Sequence, residues 1–138
     1  MPAPVISVAQ MREWEQAAWA AGRSEAQVIS RVGELVALRA RQMIREGDTV
    51  LILAGKGHNG DDALKAREHL PDSGVYLHRI TDPETGVAEI FDVPGRRPAL
   101  IVDGLFGVGL NRPLDEKWAA LIQRINDLQV ARRACYSE

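Results

Sequence analysis

The sequence predicts an α/β fold with a parallel sheet, and three observations support this. The runs TVLILA (residues 49–54) and ALIVDGLF (residues 99–106) are apolar without alternation, which is typical of parallel strands covered on both faces. Segments with helical spacing of apolar residues precede, separate and follow these runs. The chain has 138 residues and 46% hydrophobic content, enough for one core. We therefore expect a single domain over residues 1–138.

Two helices are predicted before the first strand. Ser7 is a suitable N-cap for a helix over residues 8–21, and Gly22 ends it. Apolar residues at helical spacing predict a second helix over residues 24–46, before Gly47. The apolar face of the first helix is expected to serve packing, and the tryptophans are expected in the core or an interface: Trp14, Trp19 and Trp118.

The rest of the chain continues the alternation. A glycine turn over residues 55–60 leads to a helix over residues 61–70 and a strand over residues 74–80, a unit that should cross over right-handed. Residues 81–97 are rich in Gly, Pro and Asp and are expected to hold at most a short edge strand, VAEIFDV. The second apolar run, a glycine loop over residues 107–114 and a helix over residues 115–126 follow.

Composition excludes several classes of function. The formal charge is −2, and Lys and Arg are scattered, so nothing favours nucleic acid or anionic lipid. No apolar stretch approaches the roughly 18 to 20 residues of a membrane span. The single Cys135 has no partner for an internal disulfide, and no signal peptide is recognisable. We expect a cytoplasmic protein.

The first glycine loop is a candidate anion site. Gly55, Gly57 and Gly60 would let backbone N–H groups approach a ligand, and the following helix N-terminus favours an anion such as phosphate or pyrophosphate. The alternative is an ordinary strand-to-helix turn in which Asp61 and Asp62 only start the helix. The spacing is neither a Walker A loop nor GxGxxG.

The second loop adds a candidate acid. Asp103 ends an apolar strand, where a carboxylate is costly to bury without a cation or several donors. It is a candidate functional acid or metal ligand; alternatively, it holds the loop by accepting backbone N–H bonds. Arg112 has the planar fork that suits phosphate, and Pro113 fixes the turn. Because both loops follow parallel strands, they should face one crevice at the carboxyl ends.

Two motifs carry a resemblance to a known family. GKGHNGDDALKAR (residues 55–67) and IVDGLFGVGLNRPL (residues 101–114) resemble the GxGNNGGDG and VDALFGTGLNRP-like segments of the NAD(P)H-hydrate epimerase family, also called the YjeF N-terminal domain family. SVAQMREWEQAAWAAG is similar to its opening helix. The resemblance, which covers roughly residues 5–126, implies a Rossmann-like three-layer α/β/α sandwich that interconverts R and S hydrates of NADH or NADPH. A partner dehydratase would then consume the S form.

The resemblance also implies a set of site residues. Asp103 would be the catalytic acid at the nicotinamide ring, because inversion of the hydrated carbon requires loss and return of hydroxyl or proton. Asn59 and Asp103 would bind a potassium ion. A homodimer is common in the family and is expected here. The expected dinucleotide contacts are His58, Asn59, Gly60, Asp61 and Asp62, with Gly107, Val108, Gly109, Leu110, Asn111, Arg112 and Pro113 at the phosphates.

The chain departs from the family pattern at several positions. His58, Asp61 and Ala63 replace Asn, Gly and Gly of NNGGDG, and Asp61 adds a negative charge where pyrophosphate is expected, a repulsion of several kcal/mol in a shielded site. VISRVG stands where the family has LME-x-AG in the wall of the site. The family continues into a DIPSG-like strand end and several further strands, whereas this sequence reads QVARRACYSE there, with Ala134 at the Asp position and only Ser137 in step. The sheet is therefore expected to lack the family's last strands, either as a shortened piece of a longer protein or as a natural variant.

These departures leave two functional hypotheses open. The first is an NAD(P)H-hydrate epimerase. The second is a non-catalytic relative that binds a nucleotide or a protein partner. Outside the two loops, His69 and His78 are expected to face solvent, and Lys56 is expected to be an exposed loop residue.

Overall fold

The computed structural model describes residues 4–91, 97–128 and 132–135, with the backbone alone at residues 91 and 132–135. Helices and strands alternate after an N-terminal helical pair. Their bounds are α1 (Val8–Ala20), α2 (Glu25–Met43), β1 (Val50–Ala54), α3 (His58–Glu68), β2 (Val75–Arg79), α4 (Pro83–Phe91), β3 (Leu100–Gly104), α5 (Glu116–Asp127) and β4 (Arg132–Cys135).

The strands form one parallel sheet in the order β2-β1-β3-β4. The chain leaves β1 towards β2 on one side and returns to β3 on the other, so the strand order reverses between β1 and β3. Ligands of open α/β sheets bind at such a switch point, outside the carboxyl ends of the strands. Every residue of β1 is buried, which confirms the prediction of a parallel strand covered on both faces.

Helices cover both faces of the sheet and make three layers. On one face, α2 and α3 pack on alternate strand residues. On the other, α4 and α5 pack on the intervening ones. The first core contains Val36, Ala37, Ala40, Val50, Ile52, Ala54, Ala63, Ala66, Leu70, Leu100 and Val102; the second contains Leu51, Leu53, Ile80, Ile90, Ile101, Leu105, Leu121 and Ile125. The predicted Rossmann-like three-layer α/β/α architecture is confirmed.

Small residues bring α2 and α3 close together. A Cβ atom built on Gly33 would lie 2.6 Å from Lys65 Cβ and 2.9 Å from Ala66 N. Ala37, Ala40 and Ala66 are buried in the same contact. This close pairing fixes α3 against α2, and the first turn of α3 thereby takes a defined position at the switch point.

One predicted element is wrong. Residues 83–91 form the helix α4, whereas the sequence analysis expected at most an edge strand there. The Asp82 carboxylate accepts the Thr85 backbone N–H at 2.9 Å, and Pro83 occupies the first helical position, which favours a helix start. Val87 and Ile90 then contact the core at helical spacing. The end of the expected strand, residues 92–93, lies outside the described residues.

Other expectations need smaller corrections. Helix α3 begins at His58, three residues before the predicted start. Trp14 is 58% exposed, so of its two expected placements, core or interface, the core is wrong. His78 does not face solvent: its side chain is 18% exposed, and Nε2 is buried without a hydrogen-bond partner. Lys56 is exposed, as predicted.

Candidate functional site

The two glycine-bearing loops meet at the carboxyl edge of the sheet. Ala54 and Gly104 are register partners at the ends of β1 and β3, and Gly55 N donates to Gly104 O at 3.0 Å. The Asn59 amide donates to Phe106 O, and a Cβ on Gly107 would lie 3.4 Å from Asn59 Cβ. The loop after β3 is therefore held against the first turn of α3.

Close packing between the loops explains why glycine is needed at two positions. A Cβ on Gly55 would lie 2.1 Å from Leu105 O, and one on Gly60 would lie 2.1 Å from Gly55 O. By contrast, a Cβ on Gly57 would meet nothing within 4 Å. The sequence analysis assigned these glycines to the approach of a ligand. In the structure, Gly55 and Gly60 are needed for contacts within the protein.

An open cavity of about 610 Å³ lies beside the ends of these elements. Helices α1 and α2 form its other walls, and we call it the acidic cavity. It is lined by Met11, Glu15, Trp19, Glu25, Val28, Ile29, Val32, Val36, His58, Asn59, Asp62, Ala63, Val102, Asp103 and Gly104. It brings together four of the sequence-predicted site residues: His58, Asn59, Asp62 and Asp103.

The contribution of α1 to the cavity was not predicted from the sequence. Met11, Glu15 and Trp19 line the cavity, although α1 has no fully buried residue, whereas the sequence predicts a packing role for the apolar face of this helix. Helical spacing shows which residues share a face, but it does not show what that face contacts.

The charge of the cavity is predominantly negative. Its lining includes the carboxyl groups of Glu15, Glu25, Asp62 and Asp103, and it includes no Lys or Arg. His58 Nδ1 lies 3.2 Å from Glu25 Oε1, so the one imidazole in the lining faces a carboxylate. An anion such as phosphate would be repelled here, whereas a neutral or cationic group would be accepted.

Asp103 is anchored through one oxygen. Its Oδ1 accepts the Leu105 backbone N–H at 3.0 Å, which is the loop-holding contact that the sequence analysis considered as an alternative role. Among the described residues, no donor reaches Oδ2. The carboxylate is therefore fixed in orientation and retains an oxygen for other partners.

Asp62 combines partial burial with the lack of a partner. Among the described residues, its half-buried carboxyl group makes no hydrogen bond or ion pair, whereas Glu15, which also has none, is exposed. Burial raises its pKa from the ordinary 3.8 to about 6; nearby His58 lowers the pKa and Asp61 raises it, both by smaller amounts. Asp62 therefore changes its protonation state close to neutral pH.

Asp61 faces a different direction from its neighbour. It is not part of the cavity lining, and its Oδ1 lies 4.0 Å from Arg79 Nη2 at the end of β2. Both side chains are about half exposed, so the pair adds little stability. The Asp61 carboxylate, which stands where the family has a glycine, therefore lies outside the cavity and beside the Arg79 guanidinium.

The second loop lines a separate hollow of about 240 Å³, which we call the arginine pocket. Its lining is Phe106, Leu110, Arg112, Pro113, Leu114, Asp115 and Trp118. The rings of Phe106 and Trp118 meet edge to face, with centroids 5.0 Å apart. Val108, Gly109 and Asn111 are exposed beside it. The predicted phosphate contacts are thus divided between this pocket and the open surface.

The described residues contain no group of three or more His, Cys, Asp or Glu side chains that could hold a metal ion. The predicted potassium ligands, Asn59 and Asp103, do share the acidic cavity. In the same described part of the chain, no helix is long and apolar enough to cross a membrane.

An open parallel sheet with glycine loops at its switch point defines a Rossmann-like α/β domain. A family model for the YjeF-related protein N-terminus matches residues 77–135. The chain is 36% identical to an NAD(P)H-hydrate epimerase of Achromobacter xylosoxidans over 142 residues, which are 89% of this chain and 66% of that protein. The chain is thus similar to the YjeF-related N-terminal domain family.

A second epimerase and one solved structure are also similar to this chain. The chain is 39% identical to an NAD(P)H-hydrate epimerase of Bordetella pertussis, over 61% of this chain and 44% of that protein. The crystal structure of the yeast protein YNL200c has the same fold, with a TM-score of 0.71, 22% identity, and coverage of 96% of this chain and 69% of that one. The chain spans less than two thirds of the length of these epimerases.

Proposed function

We propose that this chain interconverts the R and S hydrates of NADH or NADPH. The observation that carries the proposal is Asp103, an anchored carboxylate at the switch point that lines a ligand-sized cavity. A volume of about 610 Å³ lies within the usual range for small-molecule sites. Two relatives named NAD(P)H-hydrate epimerase, at 36% and 39% identity, support the same activity.

The charge distribution favours one orientation of the dinucleotide. A hydrated nicotinamide ring is uncharged, so it can enter the acidic cavity without the repulsion that a phosphate would meet. Val28, Ile29 and Val32 provide an apolar wall for it. The phosphates would lie outside, near Arg112 and the N-terminus of α3, which has no side-chain cap and so offers free backbone N–H groups.

In this orientation Asp103 would act on the ring. Inversion of the hydrated carbon requires the hydroxyl or a proton to leave and return, and a carboxylate within reach can accept and return that proton. The Leu105 N–H bond holds Asp103 Oδ1. Its second oxygen is the one that would face the reacting atoms.

The acidic cavity offers some of the oxygen ligands that a potassium ion needs. Asn59 donates through its amide nitrogen to Phe106 O, which leaves its carbonyl oxygen as an acceptor, and Asp103 adds a carboxylate oxygen in the same cavity. Oxygen ligands of this kind suit hard cations. We propose that these residues hold potassium, which would offset part of the negative charge of the cavity when bound.

The proposal extends to partners and location. Relatives in Thermosynechococcus vestitus and Gloeobacter violaceus are named bifunctional NAD(P)H-hydrate repair enzymes, which supports coupling of this chain to a dehydratase that removes the S hydrate. A homodimer would cover exposed apolar side chains of α1 such as Trp14. We also propose a cytoplasmic location, because a chain with a single cysteine suits a reducing compartment.

The test is an epimerisation assay with purified chain and R-NADPH hydrate in potassium buffer, followed by chromatography of the two forms. The wild type should equilibrate R and S faster than buffer alone, and Asp103→Asn should lose most of this acceleration. Asp72→Asn is the matched control, because Asp72 is fully exposed beyond α3. A folded wild type that binds the hydrate without accelerating its epimerisation would instead be the non-catalytic binding relative.

A further inference from the structure

Asp62 is the half-buried acid of the cavity without an assigned task. Of the other acids in the lining, Glu25 has His58, Asp103 has the Leu105 N–H, and Glu15 is exposed to solvent. Among the described residues, Asp62 has no hydrogen-bond or ion-pair partner, yet it is half-buried and lines the acidic cavity. A half-buried carboxyl group that makes no structural contact contributes little to the fold, and such groups cluster at functional sites.

We propose that Asp62 is a second catalytic residue, which donates a proton to the hydroxyl that leaves the hydrated ring. This inference rests on the proposed function. It assigns to Asp62 a chemical step, whereas the sequence analysis expected only contact with the substrate.

The placement of Asp62 and Asp103 supports separate roles for them as proton donor and proton acceptor. Asp62 lies in the second turn of α3, and Asp103 lies at the end of β3, so the two carboxyl groups enter the cavity from different elements. No hydrogen bond joins them in the described part of the chain. An inversion needs groups that act separately, since the hydroxyl leaves one face of the carbon and water adds to the other.

The protonation state of Asp62 also suits the role of proton donor. Burial raises the pKa of Asp62 to about 6, so part of the population carries a proton near neutral pH. The other groups around Asp62 are His58 and Asp61 on its own helix, Glu25 on α2, Glu15 on α1 and Asp103 on β3.

The step balances without an external reagent. The carbon–oxygen bond of the hydrate breaks as the lone pair of the adjacent ring nitrogen forms a carbon–nitrogen double bond. The Asp62 proton joins the leaving hydroxyl and makes water. Water then adds to the opposite face and gives up one proton to the Asp103 carboxylate, and the double bond returns its electron pair to nitrogen. Proton exchange with solvent restores the starting states, with no net oxidation or reduction.

The test compares wild type with Asp62→Asn, which keeps the shape and removes the proton. Because a positioned general acid contributes about 100-fold or more, kcat should fall by at least that factor while KM changes little. Asp72→Asn makes the same chemical change at an exposed position and should leave kcat unchanged. Circular dichroism and thermal melting establish that each variant is folded.

Two further readouts separate catalysis from structure. Wild-type kcat/KM, corrected for the uncatalysed rate, should fall as pH rises through about 6, because the donor must be protonated, and Asp62→Asn should lack this limb. Sodium formate should restore part of the rate of Asp62→Ala, since it supplies a carboxyl group in the vacated space. If neither variant folds, the wild-type pH profile decides.

The outcomes also distinguish this inference from the proposed function. If the wild type does not epimerise the hydrate, the proposed function fails, and the role of Asp62 fails with it. If the wild type is active and folded Asp62→Asn retains its kcat, only the role of Asp62 is overturned. A loss confined to KM would show that Asp62 binds substrate without transferring a proton, and would also overturn it.

Discussion

Substitution of Gly60 by alanine should destabilise the protein, even though Gly60 lies in a helix, where alanine is usually preferred. Alanine in a helix is normally better than glycine by about 1 kcal/mol. Here, the added Cβ would lie 2.1 Å from Gly55 O, 2.7 Å from Gly55 C and 2.8 Å from Gly55 N. Real Cβ atoms do not approach other atoms below 3.0 Å. The obstacle is backbone, and alanine has no rotamer that would avoid it.

The size of the effect follows from these distances. Relief of the overlap requires a shift of α3 or of the turn after β1, and overpacking of this kind costs about 1–3 kcal/mol. Because backbone must move, we take about 3 kcal/mol, and the helical preference for alanine returns about 1 kcal/mol. The net loss is about 2 kcal/mol, which lowers Tm by roughly 8 °C in a domain of this size. Movement of Gly55 would also disturb Leu105, whose N–H holds Asp103.

Urea denaturation followed by circular dichroism measures this change in the free energy of unfolding. Gly109→Ala is the matched control, because a Cβ there would meet nothing within 4 Å and the residue lacks a positive φ. The control should change stability by less than about 0.5 kcal/mol. An unfolding free energy of Gly60→Ala equal to or above that of the wild type would refute the packing role assigned to this glycine.

Three further predictions concern caps, a buried imidazole and pH. Ser24→Ala removes the capping box of α2 and should lower the free energy of unfolding by about 1 kcal/mol. Ser7→Ala should only speed amide exchange in α1, because α1 buries no residue. Equal losses of unfolding free energy in the two variants would contradict this. His78→Leu removes a buried nitrogen without a partner, a group that costs about 1–3 kcal/mol, so its Tm should not fall. Asp62 has a folded pKa of about 6, above the unfolded value, so wild-type stability should decrease as pH rises from about 4 to 6. Asp62→Asn should lack that decrease and be more stable at pH 8 by about 1 kcal/mol, after allowance for screening of a half-exposed group; parallel pH curves would contradict it.

The sequence predicted the sheet better than its connections. Residues 50–54 are apolar throughout, and in so short a segment this pattern is typical of a strand covered on both faces. Residues 83–91 were harder, because VAEIF fits a strand and a helix about equally well. The helix depends on the cap at Asp82 and on Pro83 at its start. Both residues are visible in the sequence, but the high content of Gly and Pro around them favours a loop.

The candidate site was predicted in part for a related reason. Parallel topology places the ends of β1 and β3 together, so Asn59 and Asp103 were expected at one edge before their contacts were known. The orientation of neighbouring side chains was not predictable in this way. Asp61 and Asp62 are adjacent in sequence, yet one faces Arg79 and the other the cavity, and only the packing of α3 against α2 decides between them.

The claim that the acidic cavity receives the hydrated ring can be tested directly by amide NMR. The isotope-labelled chain would be titrated with NADPH hydrate and, separately, with ADP-ribose, which lacks the nicotinamide ring. If the ring enters the cavity, both ligands should shift the amides of residues 107–112, and only the hydrate should shift those of Asp62, Asp103 and Val28. Saturable binding of the hydrate that leaves these three amides unchanged would contradict it.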